Sequence, residues 1–180
     1  MTKIIKEVTL KELKDQQALG EREIDLAEFT LKLQSRIIIN VSVGTGYSQI
    51  DLDYEAAEGV HKMSLAVFLD RLIKDSLDRT MTANHALFPS LIWAIYTPRD
   101  FRYRRNIQKF RGEIQRMINE RRSGKTQSYS QEDLLSIMIN TDFFQGNDEL
   151  IIDEVMTFFL AGMKTIQIST TNLIYYLTKH

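Results

Sequence analysis

The residues of this sequence that could do chemistry gather in the segment FFLAGMKT, at positions 158–165. An Ala161-Gly162 pair inside a long apolar helical stretch is costly, because glycine loses about 1 kcal/mol against alanine in a helix interior. Either two helices pack closely at this point, or a flat ligand approaches the backbone of a locally opened helix. Thr165 follows at helical spacing and could present a hydroxyl in an otherwise apolar cavity. The pattern alone leaves the packing and the ligand interpretations open.

Other chemical signatures are absent or incomplete. The sequence has no cysteine, which excludes disulfides, thiolate metal sites and cysteine nucleophiles within these 180 residues. His61, His85 and His180 do not have the spacing of metal ligands. Gly124-Lys125-Thr126 resembles the end of a phosphate-binding loop, but Asn119 stands where that loop needs a glycine, and the preceding pattern is helical. We therefore expect neither a nucleotide site nor a metal ligand in this chain.

The segment 98–122 carries a second possible function because it is rich in arginine. Its basic residues are Arg99, Arg102, Arg104, Arg105, Lys109, Arg111, Arg116, Arg121 and Arg122. Such a stripe could contact a nucleic acid or an anionic membrane. It could also be a solvated helix face, with Glu113 and Glu120 interspersed, and we prefer this interpretation because charge runs on helices usually face solvent. The formal net charge of −1 also argues against a nucleic-acid binder.

The elements that must position these residues are helical. Apolar residues recur at three- and four-residue steps, and we find neither an internal repeat nor an alternating run suited to a central strand. We expect helices over about residues 2–19, 25–44, 61–77 and 98–122, a shorter helix opened by Asp133, and a last helix over about 148–179. Asp25 and Thr97 are the expected caps of the second and fourth of these helices.

The last helix differs from the others in its composition. Between Val155 and Met163 only Thr157 is polar, so no face of the helix is reserved for water. A helix that is apolar all round belongs in the middle of a larger helical body. We therefore expect it to be the longest helix, among the most buried, and central to the packing of the others.

Length and composition set wider limits. A chain of 180 residues that is 43% hydrophobic can form one domain with a sizeable core. Its first residues carry charges at close intervals and lack an apolar signal-peptide core. The sequence contains no run of about 20 apolar residues, which is the length needed to span a bilayer. The chain by itself is therefore expected to be soluble.

Several segments together resemble the cytochrome P-450 family. Residues 161–165, AGMKT, resemble the distal-helix signature of that family, which is a small residue, Gly, any residue, an acid and Thr. Residues 131–137 resemble the Asp-Leu-Leu segment before that helix, and 147–155 resemble the approach to it. Residues 25–44 resemble a family helix that ends on a glycine. The order and spacing of these segments are fairly specific, and they extend over nearly the whole chain.

The resemblance implies a haem cofactor that activates dioxygen, an apolar substrate and an electron-donating reductase. It places Ala161, Gly162 and Thr165 against the distal face of the haem, with Thr165 and Lys164 at the catalytic positions. Thr157, Leu160 and Ala161 would line the substrate cavity, and residues 87–91 would roof it. The expected protein is an all-α, partial cytochrome P-450 fold around a long distal helix, and residues 1–180 form one incomplete domain.

The sequence departs from the family pattern at important positions. Lys164 stands where the signature has an acid, and an ammonium cannot act as a carboxylate relay. Ile166 replaces a hydroxyl residue that often follows the threonine. The family's cysteine loop and its Glu-x-x-Arg motif are expected to follow the end of this chain, and the membrane anchor and the β-sheets to precede or follow it. We expect the chain to be inactive alone, and its parent to be membrane-associated at the endoplasmic reticulum.

A non-enzymatic alternative stays open. The chain could be a helical interaction or scaffold domain without a cofactor, whose contact surface would be the arginine-rich helix 98–122. Gly162 distinguishes the two hypotheses, because a packing glycine needs no neighbouring hydroxyl whereas an oxygen-binding groove needs Thr165 beside it.

Overall fold

A computed structural model of the chain describes residues 2–20, 25–44, 47, 50–80, 97–124 and 133–180. The expected cavity roof at 87–91, His85 and the loop at Lys125 lie outside these described residues.

Helices make up 81% of the described part of the chain, which confirms the expected all-α class. The helices are α1 (Thr2–Leu19), α2 (Leu26–Val43), α3 (Leu65–Thr80), α4 (Pro98–Arg122), α5 (Leu134–Asn140) and α6 (Asp148–Lys179), with a 3-10 turn at Asp142–Phe144. The sheet among the described residues has the two strands β1 (Asp51–Glu55) and β2 (Val60–Ser64).

Local capping chemistry sets the starts of these helices. The Asp25 carboxylate accepts from the backbone N–H groups of Ala27 and Glu28 at the start of α2. Thr97 and Asp100 form a reciprocal capping box at the start of α4, where Pro98 occupies the first helical position. Each cap satisfies a backbone N–H that the helix itself leaves without a partner, so these starts could be predicted from the sequence.

The hairpin β1–β2 corrects one expected boundary. The third helix was expected to begin near His61, but His61 lies in β2 and pairs with Tyr54, and α3 begins at Leu65. The Asn106 side chain of α4 donates to the carbonyl of Glu55 at 3.0 Å and accepts from its N–H at 2.9 Å. Pairing with β1, whose end at Glu55 is held by Asn106, keeps residues 60–64 extended despite a helix-like local pattern. The expected start near His61 was therefore wrong.

The core lies between α2, α3, α4 and the first half of α6. Its centre contains a row of rings, in which Phe68 of α3 lies 6.3 Å from Phe110 of α4, and Phe110 lies 5.7 Å from Phe159 of α6. All three side chains are at most 1% exposed. Burial of large rings contributes much of the stability of a small domain, so this row fixes which side of α6 faces inwards.

Helix α6 is the longest described helix, with 32 residues, but it is buried along one side only. Ile151, Val155, Phe159 and Met163 face the core. Thr157 and Ala161 are exposed on the opposite side, and beyond residue 167 most side chains are exposed. The expectation that this helix has no face open to solvent is therefore wrong for the described structure, because apolar composition buries a face only where a neighbouring element covers it.

No helix of the described part of the chain is both long enough and apolar enough to cross a membrane.

Candidate functional site

Three of the predicted site residues share the uncovered side of α6. Thr157, Ala161 and Thr165 follow one another at four-residue steps, so their side chains lie on one helix face. All three are exposed. We call this strip the open face. Its residues are small, with two hydroxyls and a methyl group, which leaves room for a flat group to approach the helix.

The hydroxyl of Thr165 already has a partner on its own helix. Its Oγ1 donates to the carbonyl oxygen of Ala161 at 2.5 Å. Such a bond to the residue four positions earlier is the usual resting geometry of threonine in a helix. The same hydroxyl oxygen can still accept a hydrogen bond from a group on the solvent side of the helix. Donation to a ligand requires rotation of the Thr165 side chain away from Ala161.

Gly162 faces helix α2 rather than the open face. A Cβ built on Gly162 would lie 3.2 Å from Cδ1 of Ile38, which is closer than most real contacts of that kind. The glycine therefore allows α2 and α6 to approach each other, as in the close-packing interpretation. Its assignment as a cofactor-binding residue stays a prediction. Leu160, predicted to line a substrate cavity, is partly buried against the core at the edge of the open face.

Lys164 also points away from the open face. Its ammonium lies 2.6 Å from Oδ1 of Asp70 on α3, and it donates to Oε1 of Gln167 at 3.4 Å. Successive helical residues are about 100° apart around the axis, which separates Lys164 from Thr165. The contact with Asp70 was not foreseen, since the two residues are far apart in sequence. The catalytic role of Lys164 stays a prediction. The contacts of its ammonium among the described residues are with Asp70 and Gln167, not with Thr165.

The arginine-rich helix α4 is extensively ion-paired. The pairs are Arg99 with Asp75 and Asp78, Arg105 and Lys109 with Glu55, Arg111 with Glu149 and Asp153, Arg116 with Glu113 and Glu120, Arg121 with Asp133, and Arg122 with Asp148. Hydrogen bonds from Lys109 and Arg105 hold the pKa of Glu55 below its ordinary value. Carboxylates from several elements thus neutralise much of the basic stripe.

Arg121 departs from the interpretation of α4 as a solvated face. Its side chain is only 6% exposed, and it pairs with Asp133, which is fully buried. The same guanidinium donates to the carbonyl oxygen of Val43 at 2.5 Å. Arg121 therefore joins the end of α2 to α4 and to the start of α5, which is a structural role.

The residues present fit one side of a flat cofactor. The open face offers small side chains and hydroxyls, and these suit the distal side of a haem. The chain contains no cysteine, so a thiolate ligand for the iron cannot come from residues 1–180. Within the described residues no cluster of three or more His, Cys, Asp or Glu side chains could hold a metal ion.

Comparison with known proteins identifies the family. The model of the family described as cytochrome P-450 matches residues 1–180, the full length of the chain. No curated protein and no solved structure shows a significant match. The matched range contains residues 161–165, which resemble the distal-helix signature, and the segments that precede them. The chain therefore belongs to the cytochrome P-450 family of haem-dependent monooxygenases.

Proposed function

We propose that the open face of α6 forms the distal wall of a haem site, at which one oxygen atom of dioxygen is inserted into an apolar organic substrate. The observation that carries this proposal is the placement of Thr157, Ala161 and Thr165 together on one exposed helix face. The family match supports the general activity. Electrons come from a separate reductase, as the family resemblance implies.

The side chains on the open face have separate proposed roles. The methyl side chain of Ala161 lets the plane of the cofactor lie close to the helix. The hydroxyl of Thr165 rotates away from the Ala161 carbonyl and donates a hydrogen bond at the point where negative charge develops, which is general-acid and electrostatic support. Haem, when bound there, supplies the activation of dioxygen. Thr157 and Leu160 border the substrate space and exclude water from it.

Gly162 and Lys164 contribute less directly in this proposal. Gly162 lets α6 lie close to α2 and so sets how far the open face projects from the core. Lys164 is held by Asp70 of α3, so its ammonium lies away from the open face. The iron ligand must come from outside residues 1–180, so we propose that these residues alone are inactive. Association of the parent with the endoplasmic reticulum membrane is likewise proposed from the family resemblance.

The scaffold alternative has less support. Its contact surface would be the basic stripe of α4, yet most of those cations pair with carboxylates of the same chain. Ion pairs that are already satisfied offer little attraction to an anionic partner.

The test of the proposed function is the variant Thr165→Ala in the haem-loaded parent protein, which supplies the iron ligand from outside residues 1–180. Alanine keeps the helix and removes the only atom of this side chain that can donate, so product formed per reductant consumed should fall and peroxide release should rise. A general-acid group contributes about 10²–10⁴-fold to the rate of its step, so its removal should let peroxide release compete with product formation. Haem incorporation and substrate affinity should change little.

Two further variants complete this experiment. Thr165→Ser keeps the hydroxyl and should retain most of the coupling. Ser169→Ala removes an exposed hydroxyl one helical turn further along α6 and should leave coupling unchanged. Unchanged coupling in Thr165→Ala would show that Thr165 is a packing residue and would overturn its assignment.

A further inference from the structure

A polar bridge crosses three helices at the turn that carries Thr165. It begins at Asp70 of α3, whose Oδ1 is shielded from solvent and lies 2.6 Å from the Lys164 ammonium. It continues from Lys164 to Oε1 of Gln167 at 3.4 Å. It ends where Nε2 of Gln167 donates to the carbonyl oxygen of Ala27 on α2 at 3.1 Å.

The bridge lies where apolar packing of α6 becomes thin. Met163 is 1% exposed, and the next inward-facing residue is Gln167, which is 9% exposed. Beyond that point Ile168 and Leu173 are more than half exposed. Dispersion contacts therefore hold α6 firmly up to Met163, and polar contacts take over at the following turn.

The ring row fixes the orientation of the first half of α6, and contacts at Lys164 and Gln167 restrain rotation of the helix about its axis at the turn that carries Thr165. The Cα atoms of a helix lie about 2.3 Å from the axis, so a rotation of about 20° moves each Cα by about 0.8 Å and the side-chain ends further. A displacement near 1 Å between reacting groups can lower a rate about a hundredfold. Small rotations would therefore matter for the hydroxyl of Thr165.

We propose that Asp70 and Gln167 are positioning residues that act through Lys164 to hold the open face towards the cofactor. The inference rests on the proposed function in one respect, namely that the open face is the reacting face. In this arrangement the cation at position 164 is matched by a carboxylate on α3. The single change Lys164→Asp would place two carboxylates against each other, so it should harm coupling although it restores the acid of the family signature.

The test is a charge exchange between the two helices. The variants are Asp70→Lys, Lys164→Asp and the double variant with both changes, together with Gln167→Met, which keeps the side-chain length and removes both of its bonds. Amide hydrogen exchange at residues 160–168 of the 180-residue chain reports local opening without requiring haem. Each single variant should accelerate exchange there by about tenfold, and the double variant should restore most of the protection.

A matched control lies on the same helix. Glu149→Gln removes an exposed ion pair with Arg111 near the start of α6 and should leave exchange at 160–168 unchanged. Unchanged exchange in the two charge variants Asp70→Lys and Lys164→Asp, unchanged exchange in Gln167→Met, or a double variant no better protected than either charge variant would each overturn the proposal.

The same variants in the haem-loaded enzyme separate positioning from general stability. Product formed per reductant consumed should fall in each single variant and recover in the double variant, while substrate affinity stays the same. If Thr165→Ala uncouples the enzyme but the double variant fails to recover, the bridge proposal is wrong and the proposed function stands. If exchange behaves as expected but Thr165→Ala has no effect, the proposed function is wrong and the bridge is supported as a structural link.

Discussion

Gly162 serves helix packing, although its neighbour Ala161 belongs to the proposed ligand face. It lies beside Ala161 of the open face, yet its own missing side chain is matched to Ile38 of α2. Gly112 of α4 is a useful comparison, because a Cβ added there would meet nothing within 4 Å. The two helical glycines therefore differ in what surrounds them and should respond differently to the same substitution.

We predict that Gly112→Ala raises the free energy of unfolding of the 180-residue chain by about 1 kcal/mol, the helix-propensity difference. Gly162→Ala has the same intrinsic advantage, but Ile38 must shift, so its net effect should be smaller. Gly162→Val adds a branched side chain to that contact and should lower stability by about 1–3 kcal/mol. Urea unfolding measures all three variants. A neutral Gly162→Val would contradict the close approach of α2 and α6.

At the scale of elements, α4 is the helix most strongly joined to its surroundings by charge. Its first turn pairs with α3 through Arg99 and through the contact of Asp100 with Arg79, at 2.6 Å. Its middle pairs with β1 through Glu55, and with α6 through Arg111. The cap at its start combines burial, hydrogen bonds and an ion pair, so that end of α4 should be sensitive to pH.

The sign of this sensitivity follows from the pKa of Asp100. Burial alone would raise that pKa, but the hydrogen bonds from Thr97 and the charge of Arg79 outweigh it and lower the pKa below its ordinary value. The unfolded chain has the ordinary pKa, about 4. The stabilisation is therefore fully present above about pH 4 and is lost as the pH falls through the lower folded pKa.

We predict that stability of the 180-residue chain falls as the pH is lowered below about 4, and that Asp100→Asn reduces the size of this fall. Thr97→Ala should act in the same direction, because it removes a donor that favours the charged carboxylate. Urea unfolding at pH 7, 5 and 3 gives the required free energies. If Asp100→Asn lowered the free energy of unfolding by the same amount at every pH, titration of Asp100 would not be the cause of the loss of stability at low pH.

At the scale of the whole molecule, the described helices form a body in which the second half of α6 is the least covered part of that helix. The core of α2, α3, α4 and the first half of α6 is well packed, while the end of α6 exposes Leu173, Tyr176 and Leu177. In the proposed function, a haem against the open face would be held on its distal side by these 180 residues. Its thiolate would have to come from elsewhere, since the sequence has no cysteine.

We predict that the 180-residue chain, mixed with haem, reduced and treated with carbon monoxide, shows no thiolate-type Soret band. The physical reason is that this band requires a cysteine thiolate on the iron, and the methionine thioethers of the chain are weak neutral ligands. An absorption spectrum of the reduced complex is sufficient, with an intact cytochrome P-450 as the positive control. Appearance of the band would contradict the assigned ligand chemistry.

The sequence by itself determined the local structure and the family. The capping residues Asp25 and Thr97 predicted where α2 and α4 begin, because a cap bonds to backbone groups only two or three residues away. The bounds predicted for α6 agree with those observed, and the signature at 161–165 indicated the family that the comparison then confirmed. These features depend on neighbours in the chain, and neighbours can be read from the sequence.

The tertiary structure decided the features that depend on distant residues. His61 lies in a strand because it pairs with Tyr54 of β1, and Asn106 of the distant helix α4 bonds the end of that strand at Glu55. Lys164 turned towards Asp70, and Gly162 turned towards Ile38. The composition of α6 suggested burial on every side, but only its packing shows which side is open. Helix periodicity specifies the relative directions of side chains, whereas their absolute orientation depends on which elements pack against the helix.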